Sequence, residues 1–145
     1  IGIKDSSGDM SYFYSLIDDF KETPEFSIIV GTELFLPETI LYGGHGAVAG
    51  GANFLPELFV DLYNASVANN LEVIKILRNK VAFVNRTIYC VGKNASRITK
   101  GIKCALSVMD ICEDHMALPL RKFENRERQK VKEFLDQFEE SKVIK

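Results

Sequence analysis

Lys4 is the residue of this sequence best suited to covalent chemistry. It closes a short apolar run, Ile1-Gly2-Ile3, and is followed at once by Asp5-Ser6-Ser7-Gly8-Asp9. A lysine amine attacks a ketone only when neutral, and with an ordinary pKa near ~10.4 it is almost wholly protonated at neutral pH. Enclosure by apolar walls disfavours the ammonium and lowers that value; Ile3 and the Ile28–Val30 run are the expected walls. Arginine could not substitute, because it stays charged. Spacing alone leaves a second reading open, in which Lys4 merely ends a strand and reaches solvent.

Other reactive residue types lack a supporting pattern. Cys90, Cys104 and Cys112 are odd in number and show no CxxC spacing. They read as buried or idle thiols of a reducing, cytoplasmic compartment rather than as a disulfide set or zinc site. His45 and His115 lie far apart with no companion ligands, so no metal site is expected. Sequons at Asn64, Asn85 and Asn94 are taken as chance matches, since no secretory leader precedes them.

The elements that would position Lys4 are legible. Residues 1–4 form a strand with Ile1 and Ile3 on one face and Gly2 and Lys4 on the other. Asp9 is the expected N-cap of a helix running to about Glu22, with Phe13, Leu16, Ile17 and Phe20 at helical spacing. Phe26–Glu33 reads as a buried strand, and Pro37 suits the first turn of a helix that stops at Gly43-Gly44. Gly46–Asn53 is a third strand of small residues, and Pro56 opens a helix to about Ala68. Strand–helix alternation with short links predicts parallel α/β units, whose chemistry gathers at the carboxyl ends of the strands. Lys4, Gly31 and the Gly50–Asn53 stretch fall at those ends.

After Asn70 the pattern changes to three amphipathic helices, Leu71–Tyr89, Ala95–Ile111 and Glu124–Glu139. Residues 1–70 and 71–145 are therefore read as a strand-bearing part and a C-terminal helical region of one larger domain. Three parallel strands alone would leave sheet edges exposed, and residue 1 already lies within a strand, so the chain reads as the C-terminal portion of a longer α/β protein. At 145 residues with 46% apolar and 26% charged residues, the composition is that of a soluble globular protein. The net charge of −2, with both signs interspersed, gives no footprint for nucleic acid or an anionic membrane. No apolar run approaches the ~18 residues needed to span a bilayer.

Two stretches, Gly2–Asp9 and Gly31–Asn53, together resemble the dihydrodipicolinate synthase / N-acetylneuraminate lyase family. The resemblance covers the entire chain. It implies the C-terminal part of a (β/α)8 TIM barrel, strands six to eight, followed by a helical extension that helps to pack a dimer or tetramer. It also implies a Schiff-base lyase or aldolase acting on pyruvate or a related 2-oxo acid, with no metal or organic cofactor. By that resemblance Lys4 matches the Schiff-base lysine, and Ser6 and Ser7 a hydroxyl pair holding the polar chain of the substrate. Gly31 matches a strand-seven glycine that lets ligand approach backbone, and Val48 a strand-eight position whose main chain lines the pyruvyl pocket. Asn53 matches a structural asparagine, and Gly43, Gly44 and Gly46 the turn into strand eight. His45 reads as a turn residue outside the site.

Glu33 is the further substrate-facing candidate. Related sialic acid lyases carry an Asp-Glu pair there, where this chain has Glu33-Leu34, which weakens the case for sialic acid. The Lys4–Asp9 form is more like 2-keto-3-deoxy sugar-acid aldolases and synthase-like paralogues. Sialic acid cleavage, keto-deoxy sugar-acid dehydration and a non-catalytic 2-oxo-acid-binding paralogue remain as alternatives. The family's proton-relay tyrosine and carboxylate pocket fall outside these 145 residues, so this chain alone is expected to be inactive. Tyr12, Tyr14, Tyr42, Tyr63 and Tyr89 sit on helical patterns and are not substitutes.

Overall fold

The computed structural model describes residues 1–143. The chain forms two compact units, one from Ile1 to Val81 and one beginning at Ala82. The first contains β1 (Gly2–Asp5), α1 (Met10–Asp19), β2 (Ser27–Val30), α2 (Leu36–Leu41), β3 (Gly46–Ala47) and α3 (Pro56–Val67). The boundary falls within α4 (Leu71–Arg86). The second unit holds α5 (Arg97–Val108) and α6 (Asn125–Val143).

The three strands form one parallel sheet in the order β1-β2-β3, with Lys4 opposite Ile29, Asp5 opposite Val30, and Val30 opposite Ala47. Its helix-facing side is closed by Phe13, Leu16, Ile28 and Val30, against which Ile3, Phe35 and Ala47 also pack. The period of two then places Lys4, Ile29 and Val48 on the opposite face. Ile3, Ile28 and Val30 thus lie on the wrong side to enclose Lys4, contrary to the expectation above; among the Ile28–Val30 run only Ile29 shares its face. Lys4 is exposed on that face.

Local sequence explains most element ends. The Asp9 carboxylate accepts the Ser11 and Tyr12 N–H groups at 2.8 and 3.2 Å, capping α1 as its position predicts. Pro37 and Pro56 occupy the first turns of α2 and α3, where a missing N–H costs nothing. Gly43, with φ of +98°, makes the left-handed turn after α2. Five elements are shorter than their patterns suggest, among them α4, which ends at Arg86 rather than Tyr89, and α5, which spans Arg97–Val108 rather than Ala95–Ile111. α1 ends at Asp19 rather than near Glu22. β2 stops at Val30, since the chain turns at Gly31 into a 3-10 turn at Glu33–Phe35. β3 has two ladder residues instead of eight, because the Val48 N–H takes the Val30 carbonyl and β2 then offers no further partner.

In the second unit, a 3-10 turn at Ile88–Cys90 packs on α5. Gly101 is required there, since a Cβ would sit 2.7 Å from the Ile88 carbonyl oxygen. Asp114 is buried and ion-paired with Lys122 (3.3 Å) and Arg128 (3.6 Å), and Arg128 also donates to the Ser107 hydroxyl at 3.0 Å. Cys104 is buried, and that burial pushes its thiol pKa up. Cys90 and Cys112 are free and exposed, so burial describes only one of the three thiols.

Candidate active site at the carboxyl ends of the strands

Lys4 occupies the penultimate position of β1, and its Nζ donates to the Ser6 hydroxyl at 2.9 Å. That hydroxyl is held by close contact. A Cβ added at Gly31 would lie 2.2 Å from Ser6 Oγ and 3.0 Å from Ser6 Cβ, so no larger residue fits without moving Ser6. The Gly31 N–H also donates to the Asp5 carbonyl at 2.6 Å, locking the two strand ends together. Gly31 thus makes room for Ser6, which gives this position a local steric cause in addition to any ligand approach.

Ser7 faces a different set of groups. The buried Asp5 carboxylate accepts the Ser7 N–H at 3.0 Å and the Ser7 hydroxyl at 2.9 Å, and Ser7 Oγ accepts the Asp9 N–H at 3.0 Å. The resulting turn fixes the chain that leaves Lys4 and delivers Asp9 to its capping position. An acid two residues before a serine is a recognisable signal for such side-chain turns, so this role of Asp5 could have been read from sequence.

Glu33 lies on the 3-10 turn after β2 and is only 4% exposed. Its Oε2 accepts the Gly51 N–H at 2.9 Å, 18 residues along the chain, joining the segment after β2 to the segment after β3. Asn53 Nδ2 donates to the Gly50 carbonyl at 2.9 Å within that second segment. Val48 leaves β3 with its N–H on Val30 and its side chain exposed. His45 belongs to the other end of the sheet: its Nδ1 accepts the Ile28 N–H at 3.0 Å, while its own N–H donates to the Ile28 carbonyl at 2.8 Å.

The structure therefore joins Lys4, Ser6 and Gly31 directly and places Val48 on the same face through the strand register. Ser7 Oγ and Glu33 Oε2 are engaged by neighbouring protein groups. The signal for Glu33 was weak: an acid after one glycine, with the bare Gly50-Gly51 amides far along the chain. Among the described residues there is no cluster of His, Cys, Asp and Glu able to hold a metal ion, and no helix long and apolar enough to cross a membrane.

Comparison with known proteins agrees on one family. The model of the dihydrodipicolinate synthetase family matches residues 1–138. A dihydrodipicolinate synthase structure from Bacteroides thetaiotaomicron is 47% identical and superposes with a TM-score of 0.92, over 94% of this chain and 46% of that one. A 4-hydroxy-tetrahydrodipicolinate synthase from Neisseria meningitidis is 29% identical over 121 residues, 83% of this chain and 39% of the relative. A prophage protein of the dihydrodipicolinic acid synthase family from E. coli K12, solved in complex with pyruvate, shares the fold (TM-score 0.84, 23% identity, 96% of this chain and 46% of that one). The chain thus spans less than half the length of these relatives. By its sequence and its three-stranded α/β architecture, this chain is a member of the dihydrodipicolinate synthetase family.

Proposed function

We propose that this chain supplies the Schiff-base lysine and part of the 2-oxo-acid pocket of a lyase, acting as the C-terminal part of a longer (β/α)8 barrel. In this reading β1, β2 and β3 are strands six to eight. Residues 1–70 carry those strands and their helices, and 71–145 the helical extension, within one domain that assembles as a dimer or tetramer. The observation that carries the proposal is the Lys4–Ser6–Gly31 arrangement. It sets a lysine amine at the carboxyl end of a parallel strand, on the face turned away from the helices, with a hydroxyl 2.9 Å from its Nζ.

The reaction follows from lysine chemistry. Neutral Lys4 Nζ adds to the C2 carbonyl of a pyruvate-like acid to give a carbinolamine, which takes up one proton and loses water to become a protonated imine. That cation is the electron sink: it stabilises the carbanion at C3 as a carbon–carbon bond breaks or forms, with no metal required. The remainder of the barrel would enclose Lys4, which these three strands leave exposed, and so disfavour its ammonium. Val48 would offer main chain to the bound acid, Gly31 would keep the approach open, and Ser6 would exchange its bond to Lys4 for one to substrate.

The 47% identity to a dihydrodipicolinate synthase supports condensation of pyruvate toward dihydrodipicolinate as the first reading. The Ser6 hydroxyl on the lysine-bearing face supports a second, cleavage of a 2-keto-3-deoxy sugar acid, whose polar chain needs hydroxyl partners. The test is to incubate the full-length protein with pyruvate, reduce with borohydride and map the adduct by peptide mass spectrometry. An adduct on Lys4 is expected. Its absence in folded protein overturns the proposal, and turnover of aspartate semialdehyde or of a keto-deoxy acid then separates the two readings.

A further inference from the structure

We infer that Glu33 is a positioning residue, whose carboxylate holds the backbone that follows β3 in the place where it must meet the 2-oxo acid. The inference rests on the preceding reading for the identity of the ligand, but its structural basis is independent of it. β3 contributes Gly46 and Ala47 to the ladder, and after the Val48 N–H has bonded Val30 the segment has no sheet partner among the described residues. A second tie across to β2's side is the buried bond from Gly51 N–H to Glu33 Oε2, at 2.9 Å. Residues 48–50 are therefore strung between two fixed points. One is a ladder bond to the last residue of β2, and the other is a bond to the 3-10 turn that follows it.

The residue types fit this role. Gly51 is buried, and the Gly50–Asn53 turn closes on itself through Asn53 N–H and Nδ2, both donating to the Gly50 carbonyl. That turn cannot also occupy the Gly51 N–H, because an N–H at the start of a helical turn has no partner within it. A buried carboxyl oxygen is a suitable acceptor for such a group, since a buried N–H left without one is costly. The reach is also specific: aspartate at 33 would be one methylene too short, whereas glutamine would keep an acceptor oxygen at the same distance from the main chain.

These two substitutions separate a brace from a direct ionic role. In the full-length protein, Glu33→Gln should keep the pyruvate KM within about threefold of the parent, since its amide oxygen still accepts the Gly51 N–H. Glu33→Asp, which keeps the carboxyl and loses the bond, should raise that KM about tenfold or more while Lys4 is still trapped as the imine at saturating pyruvate. Amide hydrogen exchange of the peptide holding Gly51, measured without any ligand, should quicken about tenfold or more in Glu33→Asp and stay near the parent rate in Glu33→Gln. The exchange readout needs no catalysis, so it tests the brace even if no imine forms on Lys4. The reverse order of the two variants in KM, or unchanged exchange in Glu33→Asp, overturns the inference.

Discussion

The two ends of the sheet use the same device for different purposes. At the amino end, His45 Nδ1 accepts the Ile28 N–H; at the carboxyl end, Glu33 Oε2 accepts the Gly51 N–H. Each is a side chain satisfying a backbone donor 17 or 18 residues away, and each ties β3's surroundings to β2's. Their settings differ. The histidine is exposed, and its own main chain doubles the tie through the Ile28 carbonyl. The carboxylate is buried and secures a stretch that no ladder reaches. Redundant fastening suits the end that only has to stay folded. Buried fastening suits the end where, on the proposed reading, backbone meets the ligand.

The comparison can be broken most severely at Lys4. Lys4→Arg in the full-length protein should abolish the borohydride adduct and turnover, because a guanidinium never supplies a neutral amine. A cooperative urea transition like the parent's shows that the variant is folded, so that the lost adduct reads as lost chemistry. A trapped adduct on another lysine in that variant would show that Lys4 was misassigned.

Gly31→Ala comes next. Its Cβ would meet Ser6 Oγ at 2.2 Å and the Asp5 carbonyl at 3.1 Å, and overpacking of this kind costs about 1–3 kcal/mol. Urea unfolding should register that loss, and imine formation should slow as Ser6 is pushed from Lys4. Full stability and full trapping rate together would mean that the turn yields more easily than its geometry suggests.

His45→Ala should have the smallest effect and sharpens the contrast. Removing the acceptor for the Ile28 N–H should cost about 1 kcal/mol in the same unfolding measurement. Pyruvate KM and the rate of imine trapping should not move, because the residue lies at the opposite end of the strands. A change in either would join the two ends functionally and remove the distinction drawn between them.

Local signals in the sequence carry much of this architecture. Asp9 announces α1, Pro37 and Pro56 open α2 and α3, and Lys4 stands at a strand end beside small polar residues. These are effects of neighbours in the chain. What could not be read depends on partners far along it. Gly46–Asn53 has the small-residue look of a strand throughout, yet a ladder ends when its partner does, and β2 ends at Val30. The apolar run that seemed to wall in Lys4 presents Ile28 and Val30 to the helices, because which face is buried is settled by what packs there. Glu33 could be placed beside a substrate by resemblance, but only its burial and its bond to Gly51 disclose the backbone it holds.

The fit of Ser6 onto Gly31 has a historical side. Two positions 25 residues apart, with Ser6 Oγ occupying the space a Cβ at 31 would take, cannot drift separately. A descendant with alanine at 31 must either displace Ser6 from Lys4 or first shed the side chain at 6, and even alanine at 6 would leave two Cβ atoms about 3.0 Å apart. The unstrained route runs through glycine at 6, which discards the hydroxyl beside the lysine before anything is gained. Such an ordering makes the serine–glycine pairing easy to inherit and hard to leave. Closely related chains that differ in what they bind should therefore have changed elsewhere, on the parts of the barrel that this pairing does not constrain.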